Sequence, residues 1–201
     1  MLNVLLSGIG GQGTVLAAKL LAQAAQSKGW QVRTAETIGM AQRGGNVVSH
    51  VRMGNDGEEV AAPLLSKGTA DLIVAFEPAE AARVLPYLAK GGTLVTASTA
   101  IQPVSAALSK TPYRAGDVLA GLESALAGTD ARLVVVDDAT LMGKVGNRKA
   151  LNVVLLACAL AQNGIPLTLD DLRAAVRVCV KPRFVDMNLA AIDIAAKEQT
   201  L

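Results

Sequence analysis

The chain has 201 residues, of which 51% are apolar, 18% are charged and 2% are aromatic, and its formal net charge is +2. This length predicts a single α/β domain over residues 1–201. So few charged residues favour a subunit that buries surface against a partner. Scattered basic residues and rare aromatic residues argue against a nucleic-acid ligand.

The chain contains two cysteines, Cys158 and Cys179. An iron–sulfur cluster needs about four thiolates, so we expect any such cluster to lie on another chain. With no cysteine framework, a reducing cytoplasm is the expected setting. The longest apolar run, residues 153–161, falls well short of the roughly 20 residues that span a bilayer, which predicts a protein without a membrane contact.

Short apolar runs alternate with helical spacing in the first half of the chain. In chain order, the pattern predicts a strand at Leu2–Leu6, a helix at Thr14–Ser27, strands at Trp30–Thr34, Val47–Met53 and Asp71–Phe76, a helix at Pro78–Ala89 and a strand at Gly92–Ala97.

In the second half, residues 100–132 read as a crossover with a helix at Gly116–Ala127, followed by a strand at Leu133–Val136. Helices are predicted at Asn147–Gln162, Asp170–Val180 and Asn188–Lys197. The predicted fold is one three-layer α/β domain, with a mostly parallel Rossmann-like sheet and helices on both faces.

A glycine-rich loop, residues 8–14, has the pattern G-x-G-x-x-G between the first strand and the first helix. Glycines let the backbone turn sharply there and let an anion approach the helix N-terminus, whose free N–H groups attract it. The candidate anion or coenzyme A ligands in this loop are Gly8, Gly10, Gly11, Gln12, Gly13 and Thr14.

Several interpretations of this loop stay open at this point. Glu36 falls where a ribose-binding acid would lie, so a stand-alone NAD(P)- or FAD-binding oxidoreductase is the main alternative. ATP hydrolysis is disfavoured because Thr14 stands where a phosphate-binding loop needs lysine. In a purely structural interpretation, the glycines only allow close packing.

A second motif is unusual for a dinucleotide-binding domain. Residues 36–52 read ETIGMAQRGGNVVSHVR, with three glycines and Arg43 before a strand that carries Ser49 and Arg52. Glycines free the backbone of such a loop, and arginine offers a planar fork of donors to an anion or a partner. We therefore add Arg43 and Arg52 as candidate charge partners of the glycine loop.

The two motifs together resemble the gamma-type domain of the 2-oxoacid:ferredoxin oxidoreductases. The G-M-A-Q-R-G-G run at residues 39–45 is most similar to the beta-type subunits of the family's indolepyruvate-oxidising members, and the asparagines at 147–152 and 188 extend the likeness over nearly the whole chain. Candidates for partner contact or the active-site cleft are then Glu36, Met40, Gln42, Arg43, Gly44, Gly45, Ser49 and His50.

The resemblance also implies the reaction and the partners. A large alpha subunit would carry thiamine diphosphate, Mg and iron–sulfur clusters, and the assembly would convert an arylpyruvate and coenzyme A into an acyl-CoA, carbon dioxide and reduced ferredoxin. This chain would bind no cofactor of its own. It lacks a Gly-Asp-Gly start of a thiamine diphosphate motif, since Gly116-Asp117 continues with Val118.

Other polar residues have simpler interpretations. His50, although the single histidine, is expected to be a hydrogen-bonded structural residue on its strand. Asp137 and Asp138 are expected to cap a helix or face solvent, and no metal site is predicted. Lys144, Arg148 and Lys149 form a basic cluster that fits a solvated helix end better than a phosphate site.

Overall fold

The computed structural model describes residues 1–39, 45–101, 113–162 and 164–198. Within these residues six strands form one sheet in the order β2-β3-β1-β4-β5-β6. The strands are β1 (Leu2–Ile9), β2 (Gln31–Ile38), β3 (Asn46–Gly54), β4 (Ala70–Ala75), β5 (Leu88–Ala97) and β6 (Arg132–Val136). The helices around the sheet are α1 (Thr14–Ser27), α2 (Pro78–Val84), α3 (Ala115–Leu126), α4 (Asp138–Val145), α5 (Leu151–Ala161), α6 (Leu169–Cys179) and α7 (Val185–Glu198).

The predicted α/β fold with a mostly parallel sheet is confirmed. Strands β1, β4, β5 and β6 run parallel, whereas β3 runs antiparallel to both of its neighbours, β1 and β2. Only seven residues separate the end of β2 at Ile38 from the start of β3 at Asn46. A parallel connection needs a dozen residues or more, so a short link of this kind joins antiparallel strands.

The core has two layers, one on each face of the sheet. Side chains such as Leu6, Val51 and Val74 pack under α1 and α5, and the alternate positions Leu5 and Ile73 pack under α2 and α3. Successive side chains of a strand point to opposite faces, so each strand supplies both layers. The parallel strands are accordingly apolar on both sides, which explains their continuous apolar runs.

Helix α5 lies at the centre of the larger layer. Every side chain from Asn152 to Leu160 is buried, and the helix is surrounded by the sheet, α1, α6 and α7. A helix that is apolar all round is stable only when it is enclosed in this way. In the described ranges, no helix has the length and apolar character needed to cross a bilayer.

Several predicted boundaries were wrong. The helix predicted at Pro78–Ala89 ends at Val84, a single 3₁₀ turn follows at Leu85–Tyr87, and β5 begins at Leu88 rather than Gly92. Pro86 lacks an N–H group and cannot continue an α-helix. The helix predicted from Asn147 likewise begins with a 3₁₀ turn, Arg148–Ala150, and becomes α-helical at Leu151. Part of the predicted crossover, residues 102–112, lies outside the described residues.

His50 belongs to the smaller core layer, as the structural interpretation predicted. It is 5% exposed, and its Nδ1 accepts a hydrogen bond from Leu65 N at 3.2 Å. Its ring and that of Tyr87 form an edge-to-face pair with centroids 6.0 Å apart. Burial lowers the pKa of His50 below the ordinary value of 6.5. The imidazole is therefore held neutral, with the proton on Nε2.

Truncation in the enclosed helix is expected to be far more damaging than truncation at the surface. Leu155→Ala should lower the free energy of unfolding by about 2–5 kcal/mol, because Leu155 is fully buried. The matched control Leu64→Ala, at a side chain 55% exposed, should change it by less than about 0.5 kcal/mol. Urea denaturation measures both values, and equal effects would contradict this description of the core.

The buried neutral histidine predicts a pH-dependent stability. The unfolded chain takes up a proton at His50 as the pH falls through about 6.5, while the folded chain resists it. The free energy of unfolding should therefore fall as the pH drops below about 6.5. His50→Gln keeps an acceptor for Leu65 N without titrating, so its stability should vary less between pH 7.5 and 5.5. Parallel curves for the two proteins in urea titrations would refute the prediction.

Candidate functional site

The candidate site is a crevice at the carboxyl ends of the parallel strands. Strands β1 and β4 are adjacent, but the chain after β1 enters α1 on one face and the chain after β4 enters α2 on the other. The two connections diverge, which opens a crevice between them. In α/β sheets, ligands bind at such a reversal of the strand order.

The glycine loop lies at this crevice, and its conformation explains its composition. Gly11 and Gly13 have φ angles of 102° and 85°, a region that side chains rarely adopt. At Gly13, a Cβ would also lie 2.9 Å from Nδ2 of Asn152 on α5. The glycines therefore let the loop turn and let α5 approach it closely.

The start of α1 presents backbone donors at the loop. Gly13 is the N-cap residue and forms no side-chain cap, so the N–H groups of Thr14, Val15 and Leu16 have no acceptor within the helix. Thr14 Oγ1 is buried beside them and, among the described residues, has no hydrogen-bond partner. Free donors at the positive end of a helix dipole attract an anion.

A cleft of about 340 Å³ is lined by Gly11–Gly13 of the glycine loop and by Leu16 in the first turn of α1. Two cations that belong to the predicted basic cluster, Arg148 and Lys149, line it together with the buried Asn152. Asn152 Oδ1 is a second buried oxygen with no partner in the described part of the chain. The other lining residues are Gly11, Gln12, Gly13, Leu16, Phe76, Thr99, Ile101, Asp138 and Leu151.

Two acidic residues after β6 have separate roles. Asp137 caps α4 by accepting from Thr140 N at 3.0 Å, as predicted, and hydrogen bonds from Thr140 lower the pKa of Asp137. Asp138 neither caps a helix nor faces solvent, because it is 1% exposed and its Oδ1 accepts from Ser98 N, Ser98 Oγ and Thr99 N. It thereby fixes the loop after β5 at the cleft.

A buried polar network lies behind the glycine loop on the α2 side of the sheet. Ser7 Oγ donates to Glu80 Oε2 at 3.1 Å, and Tyr113 OH donates to Glu77 Oε2 at 2.9 Å. Burial, followed by the acceptor Glu77, raises the pKa of Tyr113 well above its ordinary value. These carboxylates are held by donors within the protein and are not among the described residues that line the cleft.

Among the described residues of the second motif, none lines the cleft, although Gly45 contacts the glycine loop. Met40, Gln42, Arg43 and Gly44 lie outside the described residues, and the Gly45 carbonyl accepts from Gly10 N at 2.9 Å. Glu36 is exposed opposite the fully buried Ser49, whose Oγ has no partner in the described ranges. Neither of them lines the cleft, and His50 lies in the core layer under α2.

Arg52 is at the far end of β3, contrary to its expected place beside the glycine loop. It is in register with Asn3, whereas the loop begins after Ile9, which pairs with Asn46. Asn3 and Ile9 are six residues apart on β1, which is a distance of about 20 Å along the strand. The Arg52 guanidinium instead donates to Asn3 Oδ1 and Ala62 O at 3.1 and 2.8 Å.

Sequence reasoning missed Asp138 and Asn152 as parts of this site and gave the basic cluster a solvent role. Asp138 is the second residue after β6, so its position at a carboxyl strand end was the available signal. The approach of Asn152 depends on how α5 packs, which no local pattern records. The described residues contain no group of three or more His, Cys, Asp and Glu side chains suited to a metal ion.

The sheet order also bears on the dinucleotide alternative. A ribose-binding acid lies at the end of a strand next to β1, but here β3 lies between β1 and β2, so Glu36 is one strand further away. Strands are about 4.8 Å apart, which places Glu36 roughly 10 Å from β1 in the plane of the sheet. This arrangement does not support a dinucleotide site.

Proteins with similar sequences match this chain over nearly its whole length. It is 34% identical to indolepyruvate oxidoreductase subunit IorB of Thermococcus kodakarensis, over 97% of this chain and 94% of the relative. The subunits of the same name from Pyrococcus horikoshii and Archaeoglobus fulgidus are 35% and 36% identical, over 97% and 95% of this chain and 94% and 92% of the relatives.

Solved structures share the fold at lower identity. The gamma subunit of a keto/oxoacid ferredoxin oxidoreductase from Geobacter sulfurreducens matches with a TM-score of 0.70 and 21% identity, covering 100% of this chain and 99% of that one. The pyruvate oxidoreductase subunit PORC of Thermotoga maritima matches with a TM-score of 0.65 and 20% identity, covering 98% of this chain and 95% of that one.

The model of the pyruvate ferredoxin/flavodoxin oxidoreductase family matches residues 3–198. This match and the relatives that are more than 30% identical cover the same, nearly complete length. The chain therefore belongs to the pyruvate ferredoxin/flavodoxin oxidoreductase family.

Proposed function

We propose that this chain is the small subunit of an enzyme that oxidatively decarboxylates an arylpyruvate, with indolepyruvate as the preferred candidate. The products would be an acyl-CoA, carbon dioxide and reduced ferredoxin. Full-length similarity to subunits named for indolepyruvate is the observation that supports this substrate. The cleft at the carboxyl ends of β1 and β4 supports a binding role for the chain within that reaction. It combines the uncapped start of α1 with two cations, Arg148 and Lys149.

The reacting cofactors are assigned to a large partner subunit. Two cysteines, one of them buried in α5, cannot supply the four thiolates of a cluster. The described residues also offer no acidic set that fits a magnesium ion with a bound diphosphate. Thiamine diphosphate, Mg and the clusters would accordingly lie on an alpha subunit, which would pass electrons to ferredoxin in a cytoplasmic setting.

The cleft would hold the anionic part of coenzyme A. The first turn of α1, which reaches the cleft at Leu16, would bind a phosphate as helix N-termini do, and Arg148 and Lys149 would balance its charge. Asn152 Oδ1 can accept from a hydroxyl of the same ligand.

Purification from the source organism tests the assignment as a subunit. The tagged chain, isolated under anaerobic conditions, should bring with it a large brown subunit containing thiamine diphosphate. The complex should reduce a redox dye when indolepyruvate and coenzyme A are both present, and pyruvate should support a lower rate. Recovery of the chain alone with a bound nicotinamide or flavin dinucleotide would overturn the proposal.

Charge removal in the cleft tests the coenzyme A assignment. In the assembled enzyme, Arg148→Ala and Lys149→Ala should each raise the KM for coenzyme A roughly tenfold, because each removes a charged partner of a phosphate. The KM for the oxoacid should stay within about twofold, since the change is confined to phosphate binding. Arg132→Ala is the matched control, because Arg132 is exposed at the amino end of β6, away from the cleft. An unchanged KM for coenzyme A in both cleft variants would remove this role.

A further inference from the structure

The side chain of Gln12 uses both ends of its amide to join the two strands that flank the crevice. Its Oε1 accepts from Ile9 N at the end of β1, at 2.7 Å. Its Nε2 donates to Phe76 O, the residue after β4, at 3.0 Å. A backbone hydrogen bond from Phe76 N to Ser7 O, 2.8 Å long, also joins the ends of β1 and β4.

These contacts place the Gln12 side chain against the ends of the strands while its backbone remains in the glycine loop. Gly11 and Gly13, on either side of Gln12, have left-handed φ angles and line the cleft. Because the Gln12 amide is fixed at two points, the direction of the intervening backbone is fixed with it. The orientation of the backbone N–H groups in the glycine loop therefore depends on the Gln12 side chain.

Gly8 provides independent support for this role. A Cβ at Gly8 would lie 2.8 Å from Gln12 Oε1, 2.9 Å from Phe76 Cβ and 2.9 Å from Thr14 Oγ1. Such contacts are closer than packed atoms tolerate. The absence of a side chain at Gly8 is thus what admits the Gln12 amide to its two partners.

We propose that Gln12 is the positioning residue of the cleft: its amide holds the glycine loop in the conformation that presents the α1 donors to the phosphate groups of coenzyme A. Gln12 acts through the backbone of Gly11 and Gly13 and is not assigned a contact with the ligand. The inference rests on the proposed function, in which the cleft binds the anionic part of coenzyme A.

The chemistry of the amide makes the role specific. Leucine has a similar volume but can neither accept from Ile9 N nor donate to Phe76 O. Asparagine keeps the amide but is one methylene shorter, so it cannot span both partners. Neither substitution adds a charge that would itself repel a phosphate.

The test uses the assembled enzyme with Gln12→Leu, Gln12→Asn and the control Gln26→Leu, which changes an exposed glutamine near the far end of α1. Both Gln12 variants should raise the KM for coenzyme A roughly tenfold, with kcat at saturating coenzyme A and the KM for the oxoacid within about twofold. The control should match the unaltered enzyme. If Gln12→Leu fails to assemble, the same values for Gln12→Asn decide the outcome.

Arg148→Ala, measured alongside, separates this inference from the function on which it rests. A raised KM for coenzyme A in Arg148→Ala but not in the Gln12 variants overturns the role of Gln12 alone. An unchanged KM in all of them overturns the binding site itself. A Gln12 variant that lowers the melting temperature and kcat while both KM values rise together would show a merely structural residue and also overturn the inference.

Discussion

The parallel pairing of β1 with β4 is the constraint on which the candidate site depends. It brings together two strand ends whose connections leave toward opposite faces of the sheet. The Ser7 to Phe76 backbone bond and the Gln12 amide hold those ends together. Because the strand ends are fixed, the glycine loop and the start of α1 have a rigid base. Rigidity there would reduce the entropy lost on binding the proposed anion.

The second requirement is the close approach of α5 to the glycine loop. An all-apolar helix has no solvent-facing stripe, so it must be enclosed, and enclosure fixes its position against α1 and the sheet. Asn152 is the polar exception near its start, and it reaches within 2.9 Å of the point where a Gly13 side chain would begin. Core packing thus places the Asn152 amide at the mouth of the crevice, together with Arg148 and Lys149, which precede it in the sequence.

The sequence was informative wherever a local pattern determines structure. The glycine spacing at residues 8–13 and the apolar runs of β1 and β4 predicted a strand, a loop and a helix, and the structure has them there. The direction of β3 was not visible in the same way, because its alternation is compatible with either orientation. The antiparallel direction of β3 follows instead from the short connection between β2 and β3.

Contacts between residues distant in the sequence account for the other differences. Arg52 and the glycine loop lie on neighbouring strands, and only the register of β1 with β3 shows that they are at opposite ends. Arg148 and Lys149 read as a solvated helix end because nothing near them in the chain indicates that Gly11–Gly13 lie across the cleft. Pairing register and helix packing are global properties, so local spacing does not reveal them.

The placement of the titratable groups agrees with the binding role proposed for this chain. Its single histidine is buried and neutral in the layer under α2, and Glu77 and Glu80 receive hydrogen bonds behind the glycine loop. Among the described residues that line the cleft, Asp138 is the sole carboxylate, and its Oδ1 already accepts three hydrogen bonds. A general acid or base needs a group free to exchange a proton with the substrate. The described cleft instead offers two cations, Arg148 and Lys149, and the unpaired Asn152 Oδ1, which suit the proposed binding of an anionic group.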